Sequence, residues 1–559
     1  MLTYTVLVSL QHHHLLRPMP ERLVMRSWQD GRSVQDVYRS DVGNLSAPGL
    51  SSMAKIPANH QAPTTTSLAA RARVDSANPT DPQYSFFKVK GDGHSSRYTL
   101  CDTLEIHIET RDGHKRLKKY GGDYFWIKLV SSDLHSSQTA DEILDHQNGT
   151  YTARFRLRWT GNIHINVQLI KSSEYVALLR AVRKKAPVRF AYDGKFRNGT
   201  RTEVMPCHIT KDMFLGALEP ARSRGFCDFS NAELGYPWYC LRPEQLPCSS
   251  YSSHVGSLTR GNEYLNIVMK DEPESVMHNF DLIRQIDFTP IEVISPYSKE
   301  DASTCMGKRL PLCSPGLPPR PPHSVAGFYH HKFWQSTVCR VGDFSQTQAL
   351  KCLQGCSLYF YGDSTLRQWF EYLSVHLGST MKEEVLHTNQ KAGPRSSLDK
   401  VHNISLFYRH HGYPIRNSWT PVQDIRYAAE QIDELAGGSR TVVLLSLWAH
   451  FTPTSLQYYR ERWEAIRLAL RRLRGRAPGT PVIIKSANTR EQKGVDMSNW
   501  YTMELDQVMR EMMSGEPDVA IIDVWDMTLS HSSGYRIHPY DSIISQEVKV
   551  LLSYLCPVH

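Results

Sequence analysis

The run Cys356-Ser-Leu-Tyr-Phe-Tyr-Gly-Asp-Ser-Thr-Leu-Arg-Gln-Trp-Phe-Glu-Tyr-Leu373 restricts the architecture of this chain more than any other stretch. Its short aromatic and apolar beginning, ending at Gly362, reads as a buried strand. Leu366, Trp369, Phe370 and Leu373 then recur at helical spacing, so the chain passes from strand to helix through a Gly-Asp-Ser turn. Ser364 falls at the helix N-terminus, where unpaired N–H groups and the positive end of the helix dipole stabilise an oxyanion. Serine is also a common N-cap. The tripeptide alone favours the cap, and its neighbours have to decide.

From about His323 onward apolar strands alternate with helices. Strands are expected at 441–447, 481–485 and 519–524, and helices through 458–473, around 503–513 and near 547–555. Such alternation predicts a parallel sheet covered on both faces, with sites at the carboxyl ends of its strands. That rule collects Ser364, His450, Asn488, and Asp526 with His538. These are the residue types acyl transfer requires: a serine hydroxyl, a histidine to take its proton, an acceptor to orient the imidazole, and donors for the oxyanion. His538 precedes Pro539, which favours an extended or turn conformation over helix. His450 and Asn488 also have a structural reading, as hydrogen-bonding residues that fix loops. Asp363 is read as bracing the turn.

The preceding half reads differently. Residues 1–82, rich in Ser, Pro, Thr, Ala and Arg, lack sustained periodicity and are expected to form a flexible leader. In 83–250, short alternating runs such as Thr103-Leu-Glu-Ile-His-Ile-Glu-Thr110 and Asn162-Ile-His-Ile-Asn-Val-Gln-Leu-Ile170 predict a β-sandwich with a cysteine-rich extension. A connecting segment, 251–322, ends in the Pro-rich run 310–322, which excludes helix and suits a stiff spacer. The last region is 323–559.

Eleven cysteines without a CxxC pair look like a disulfide framework rather than a metal site, and the odd count leaves at least one thiol outside internal pairing. No metal is expected. Asn-x-Ser/Thr acceptors at Asn44, Asn148, Asn198 and Asn403 fit the secretory pathway, with secretion or the Golgi lumen as destination. The start is a poor signal segment, because Met1–Leu10 is short and runs into three histidines. Either export relies on it, or the natural start differs, or the protein is cytosolic. No segment is long and apolar enough to be an integral membrane span. The net charge of +9 is modest for 559 residues, and no nucleic-acid-binding module accompanies it.

Tyr361-Gly-Asp-Ser-Thr-Leu-Arg-Gln-Trp369, Ser446-Leu-Trp-Ala-His-Phe451, Lys485-Ser-Ala-Asn-Thr-Arg-Glu491, Ile522-Asp-Val-Trp-Asp-Met-Thr528 and Ile537-His-Pro539 follow one another in order. Tyr120-Gly-Gly-Asp123, Asn148-Gly-Thr-Tyr151 and Tyr239-Cys-Leu-Arg-Pro243 precede them. In these the chain resembles the NXPE family, the neurexophilin and PC-esterase domain proteins, over nearly everything after about Gln83. The resemblance implies an immunoglobulin-like neurexophilin region followed by an α/β esterase domain of the SGNH type. It further implies glycan O-acetyl transfer or esterase chemistry, sialic acids among the acceptors. Ser364 would carry the acyl group and His538 would be the general base. Gly362, in the nucleophile block, would lie with Arg367, His450 and Asn488 among the oxyanion or substrate-binding residues, and Arg367 would orient the loop or an anionic donor or acceptor. No bound cofactor is implied, with acetyl-CoA as acyl donor. One departure stands out: the family's Asp-x-x-His block would place an aspartate at 535, where this chain has Tyr535. Asp526 or Asp523 would substitute, Asp541 less well, or a serine–histidine dyad would act alone. The partner is then a glycan or glycoprotein acceptor. The rival reading is a non-catalytic secreted ligand whose neurexophilin-like half binds a cell-surface receptor, and Tyr535 favours it.

Overall fold

The computed structural model describes residues 78–90, 97–211, 225–257, 281–285, 291–295, 310–317, 320, 324–385, 391–416, 419–491, 495 and 497–556. Nearly all of the expected leader, Asn44 and parts of the Pro-rich run lie outside them. The described residues divide into two compact units, one holding 208–211 and 225–244 and the other holding the rest. In the smaller unit, Phe226–Asp228 pairs antiparallel with Tyr239–Leu241.

The larger unit opens with β1 (Phe86–Val89), β2 (Thr103–Glu109), β3 (Tyr124–Ser131), β4 (Ser136–Thr139), β5 (Glu142–Asp145), β6 (Thr150–Arg156) and β7 (Gly161–Lys171). Helix α1 (Ser173–Lys185) follows, capped by Ser172, whose side chain accepts from the Tyr175 N–H. Strand β8 (Ala191–Asn198) pairs antiparallel with β9 (Tyr251–Ser257). Along β2, Leu104, Ile106 and Ile108 are completely buried while the residues between them are not, as a strand with one covered face requires. One sheet runs β1-β2-β6-β5 with Arg284–Gln285 beside β1. The other centres on β4-β3-β7, extended by β10 (Ile291–Ile294) and by a hairpin of β11 (Gly327–His330) and β12 (Phe333–Ser336). Ile106 and Phe155 from the first sheet and Ile127, Val167, Val293 and Phe328 from the second share one core. The first two strands after residue 323 therefore complete this pair of sheets rather than opening the parallel one.

The remainder contains α2 (Gln346–Leu353), β13 (Ser357–Gly362), α3 (Ser364–His376), β14 (Lys382–Val385), β15 (Arg395–Asp399), β16 (Ile404–Arg409) and β17 (Thr441–Ser446). After these come α4 (Leu456–Arg476), β18 (Val482–Lys485), α5 (Asn499–Met513), β19 (Val519–Ile522), α6 (Trp525–Ser530) and α7 (Asp541–Leu555). The sheet order is β14-β15-β16-β13-β17-β18-β19. The five strands from β16 to β19 are parallel, and β14 and β15 form an antiparallel edge. Strand β13 thus lies in the interior of the sheet, which its apolar sequence suits. Leu358, Phe360, Leu366, Trp369 and Leu373 are completely buried in a core shared with Val442, Ile483 and Leu551.

Disulfides join Cys313 to Cys339 and Cys352 to Cys556. Cys101, Cys207, Cys227, Cys240 and Cys248 are disulfide-bonded as well, whereas Cys356 is a free, buried thiol. The expected framework and the leftover thiol are both present. Asn148, Asn198 and Asn403 are exposed. Among the described residues no helix is long and apolar enough to cross a membrane.

Candidate active site

The nucleophile turn follows from close packing. A Cβ at Gly362 would stand 2.4 Å from the Ser446 carbonyl oxygen and 2.9 Å from Leu366, so only glycine lets β13 run this close to β17 before the chain turns. Asp363 then caps α3: its Oδ1 accepts from the Thr365 N–H at 2.9 Å and hydroxyl at 2.7 Å. Its Oδ2 accepts the N–H groups of Trp448 (3.2 Å) and Ala449 (2.9 Å), which pins the loop after β17 to the nucleophile turn. Ser364 is the first residue of α3, and its N–H is one of those a helix cannot pair internally.

Ser364 Oγ lies 2.7 Å from Nε2 of His538, 174 residues further along the chain. Ser364 is buried and His538 is open to solvent. The segment carrying His538 is held from four sides. The Ile537 N–H donates to Glu491 Oε2 at 2.7 Å, and the Ile537 carbonyl accepts from Asn488 Nδ2 at 3.2 Å. Gln368, one turn after Ser364 on α3, donates to the Pro539 carbonyl at 2.9 Å. From the β-sheet pair, Lys128 Nζ donates to the Tyr535 hydroxyl at 2.8 Å, and the Trp126 ring meets the Tyr535 ring edge-on at 4.2 Å. One helix thus carries the serine and also ties down the histidine's loop.

Partial desolvation, and after it the charge of Arg367, lower the His538 pKa below the ordinary imidazole value, while Asp363 and Glu491 act in the opposite direction. The ring is consequently neutral near pH 7, the form that accepts a proton from a hydroxyl.

The other expected residues fall in different places. Asp526 is not brought to His538: it accepts from Arg320 Nη1 (2.9 Å), the Ala326 N–H (2.8 Å) and Thr139 Oγ1 (3.3 Å). Asp523 is paired with Arg320 and Arg510. Both carboxylates are committed to joining this end of the parallel sheet to the arginines and strands around it. Asp541 opens α7. Asn488 spends its amide on the carbonyls of Thr489 (2.9 Å) and Ile537, and its Oδ1 accepts from Lys485. It acts as a fastener for the His538 loop. Arg367 pairs with Glu371, its i,i+4 neighbour, at 3.2 Å and donates to the Lys391 carbonyl at 2.7 Å. His450 is buried beside His410 and His411, and burial lowers its pKa to about 4.

Sequence reasoning missed Glu491 and Gln368 as holders of the histidine, although both lie inside motifs it had singled out, Gln368 four residues after the serine.

Residues 334–556 match the NXPE family member 4-like C-terminal domain, and residues 59–279 match the neurexophilin domain. The chain belongs to the NXPE family. Within this NXPE chain the C-terminal match takes in Ser364, His538 and every residue that clamps the histidine loop except Trp126 and Lys128, which come from the neurexophilin match.

Proposed function

We propose that this protein is a glycan O-acyltransferase or acylesterase of the secretory pathway that works through an acyl-Ser364 intermediate, with acetyl as the acyl group. The observation that carries the reading is the 2.7 Å hydrogen bond between Ser364 Oγ and His538 Nε2 at the carboxyl edge of the parallel strands. As Ser364 Oγ attacks the donor carbonyl, its proton passes to His538 Nε2. The oxyanion forms at the N-terminus of α3, where the Ser364 N–H and the helix dipole meet it. His538 then protonates the leaving group, and acyl-Ser364 remains. A sugar hydroxyl, or water in the esterase direction, gives its proton to His538 and attacks the acyl carbon, which regenerates the serine.

Glu491 and Asn488 replace the missing Asp-x-x-His aspartate by holding the peptide next to the histidine instead of its ring. Arg367 and Arg490, the latter buried with no hydrogen-bond partner at Nε, make the field around the site positive. That field suits an anionic acceptor such as a sialic acid, or the phosphates of an acetyl-CoA donor. In this reading the folds are an immunoglobulin-like neurexophilin region and an SGNH-type esterase domain.

The test is mass spectrometry of O-acetyl groups on glycans from cells expressing the wild type or Ser364→Ala. A change that vanishes in the variant supports the enzyme, and its sign separates transfer from hydrolysis. An unchanged profile, together with no fluorophosphonate labelling of folded, exported protein, would leave the second reading, a receptor-binding ligand, which Tyr535 in place of an aspartate favours.

A further inference from the structure

His410 and His411 follow the end of β16, just before the turn at Gly412, and His450 lies in the loop after β17. All three are buried, and one ring nitrogen from each lies within 4.8 Å of the other two. The ring centroids are 4.0 Å apart for His410 and His411, 4.7 Å for His410 and His450, and 5.4 Å for His411 and His450. Among the described residues neither ring nitrogen of His410 has a hydrogen-bond partner, and His411 has at most the backbone of Gly412 beside it. Buried ring nitrogens normally find one, and an orphaned buried polar group costs about 1–3 kcal/mol. The two nitrogens of the His410 ring, in contact with His411, are therefore not accounted for by the described residues around them.

We propose that His410, His411 and His450 bind a divalent transition-metal ion of the zinc class. Three neutral imidazoles converging on one point are a donor set for such an ion. Metal–nitrogen bonds of about 2.1 Å bring tetrahedral ligand atoms to about 3.4 Å from one another, so ring shifts of about an ångström close the site. The Arg416 N–H donates to Nδ1 of His450 at 3.3 Å, which ties this ring to the backbone. Arg367, Arg416 and Arg462 lie close enough to oppose a cation, and Asp363 offsets them in part.

The site would be structural. The three rings are buried, and an ion between them would lock the loop after β16 to the loop whose Trp448 and Ala449 N–H groups hold Asp363, the cap of the serine's helix. The ion would brace the nucleophile turn from outside the reaction. Cysteine spacing gave no hint of it, because the ligands are histidines, of which the sequence singles out His450 alone.

The experiment uses the full-length protein purified without affinity histidines, and its readout is independent of catalysis. Metal content is measured by plasma mass spectrometry before and after incubation with Zn²⁺ and gel filtration, and zinc X-ray absorption reports the ligands. The expected result is about one zinc per chain with histidine ligation and no sulfur, falling at least tenfold in His411→Asn. His402→Ala, a histidine hydrogen-bonded to Asp399 elsewhere, should retain the metal. No zinc in either preparation, sulfur scattering, or full retention in folded His411→Asn would overturn the proposal. Should His411→Asn fail to fold, absorption on the wild-type protein decides alone.

Discussion

Glu491 offers the sharpest trial of how this chain does without the family's aspartate. Its carboxylate accepts the Ile537 N–H at 2.7 Å, a bond to a charged group, and such bonds contribute about 1.5–3 kcal/mol. Were the whole of that lost from the catalytic pose, Glu491→Ala would slow the serine's reaction by about 10- to 150-fold, at about 1.4 kcal/mol per decade. Asn488, Gln368 and Tyr535 still hold the loop, so the expected loss is about tenfold. Glu491→Gln keeps an oxygen for Ile537 and removes only the charge. Because that charge raises the His538 pKa against burial and Arg367, its removal lowers the pKa further. The assay is the second-order rate of fluorophosphonate labelling at Ser364 between pH 5 and 8. In the wild type the rate falls as the pH drops through the folded His538 pKa, below 6.5, because the protonated ring is no base. In Glu491→Gln the acid limb should move to lower pH while the plateau drops a few-fold, since the imidazolium formed in the transition state loses a nearby anion. An acid limb that shifts upward, or an alanine variant as fast as wild type across the range, would refute the assignment.

Gly362→Ala should destabilise the fold by about 1–3 kcal/mol, because the new methyl meets the Ser446 carbonyl backbone at 2.4 Å; an unaltered melting temperature would contradict the packing argument. Tyr535→Phe takes away the hydrogen bond of Lys128, whose pKa burial lowers to about 8. The charged ammonium loses most, so the drop in melting temperature should be larger at pH 6.5 than at pH 9.5, and equal drops would count against the contact. Cys356 should resist alkylation in the native protein and react once it is denatured without reductant, which peptide mapping would check.

The parts of the site that depend on local order were legible in the chain. The strand, Gly-Asp-Ser turn and helix come from residues adjacent in sequence, and His538 was found because a proline excludes helix there and the strand-edge rule applies. What failed depended on distant partners. Asp526 was a fair candidate by order and residue type, but Arg320, more than two hundred residues upstream, claims its carboxylate. Asn488 was placed at this edge with a substrate-facing and a loop-fixing reading both open, since nothing in a lone asparagine says whether its amide faces a ligand or the Ile537 carbonyl. Strand β16 went unread although Ile404, Leu406 and Tyr408 are buried on alternate positions. Alternation of strand and helix is expected from about His323, whereas the pairing of Tyr329 with Ser137 and the burial of Phe328 in the earlier core show that the hairpin of β11 and β12 completes the earlier sheets.

The bond between Cys352 and Cys556 reaches beyond the two helices it fastens. Cys352 precedes Ser364 by twelve residues and Cys556 follows His538 by eighteen, so through the sulfurs the serine and the histidine are about thirty residues apart rather than 174. Even with the domain unravelled, the short tether keeps the pair in each other's neighbourhood. Closing a loop of that size in place of the long one saves roughly 1.5 kcal/mol of chain entropy. A protease cut at any one point between the two cysteines would leave both residues on one covalent molecule. An oxidising environment therefore guards the pairing of nucleophile and base as well as the stability of the fold.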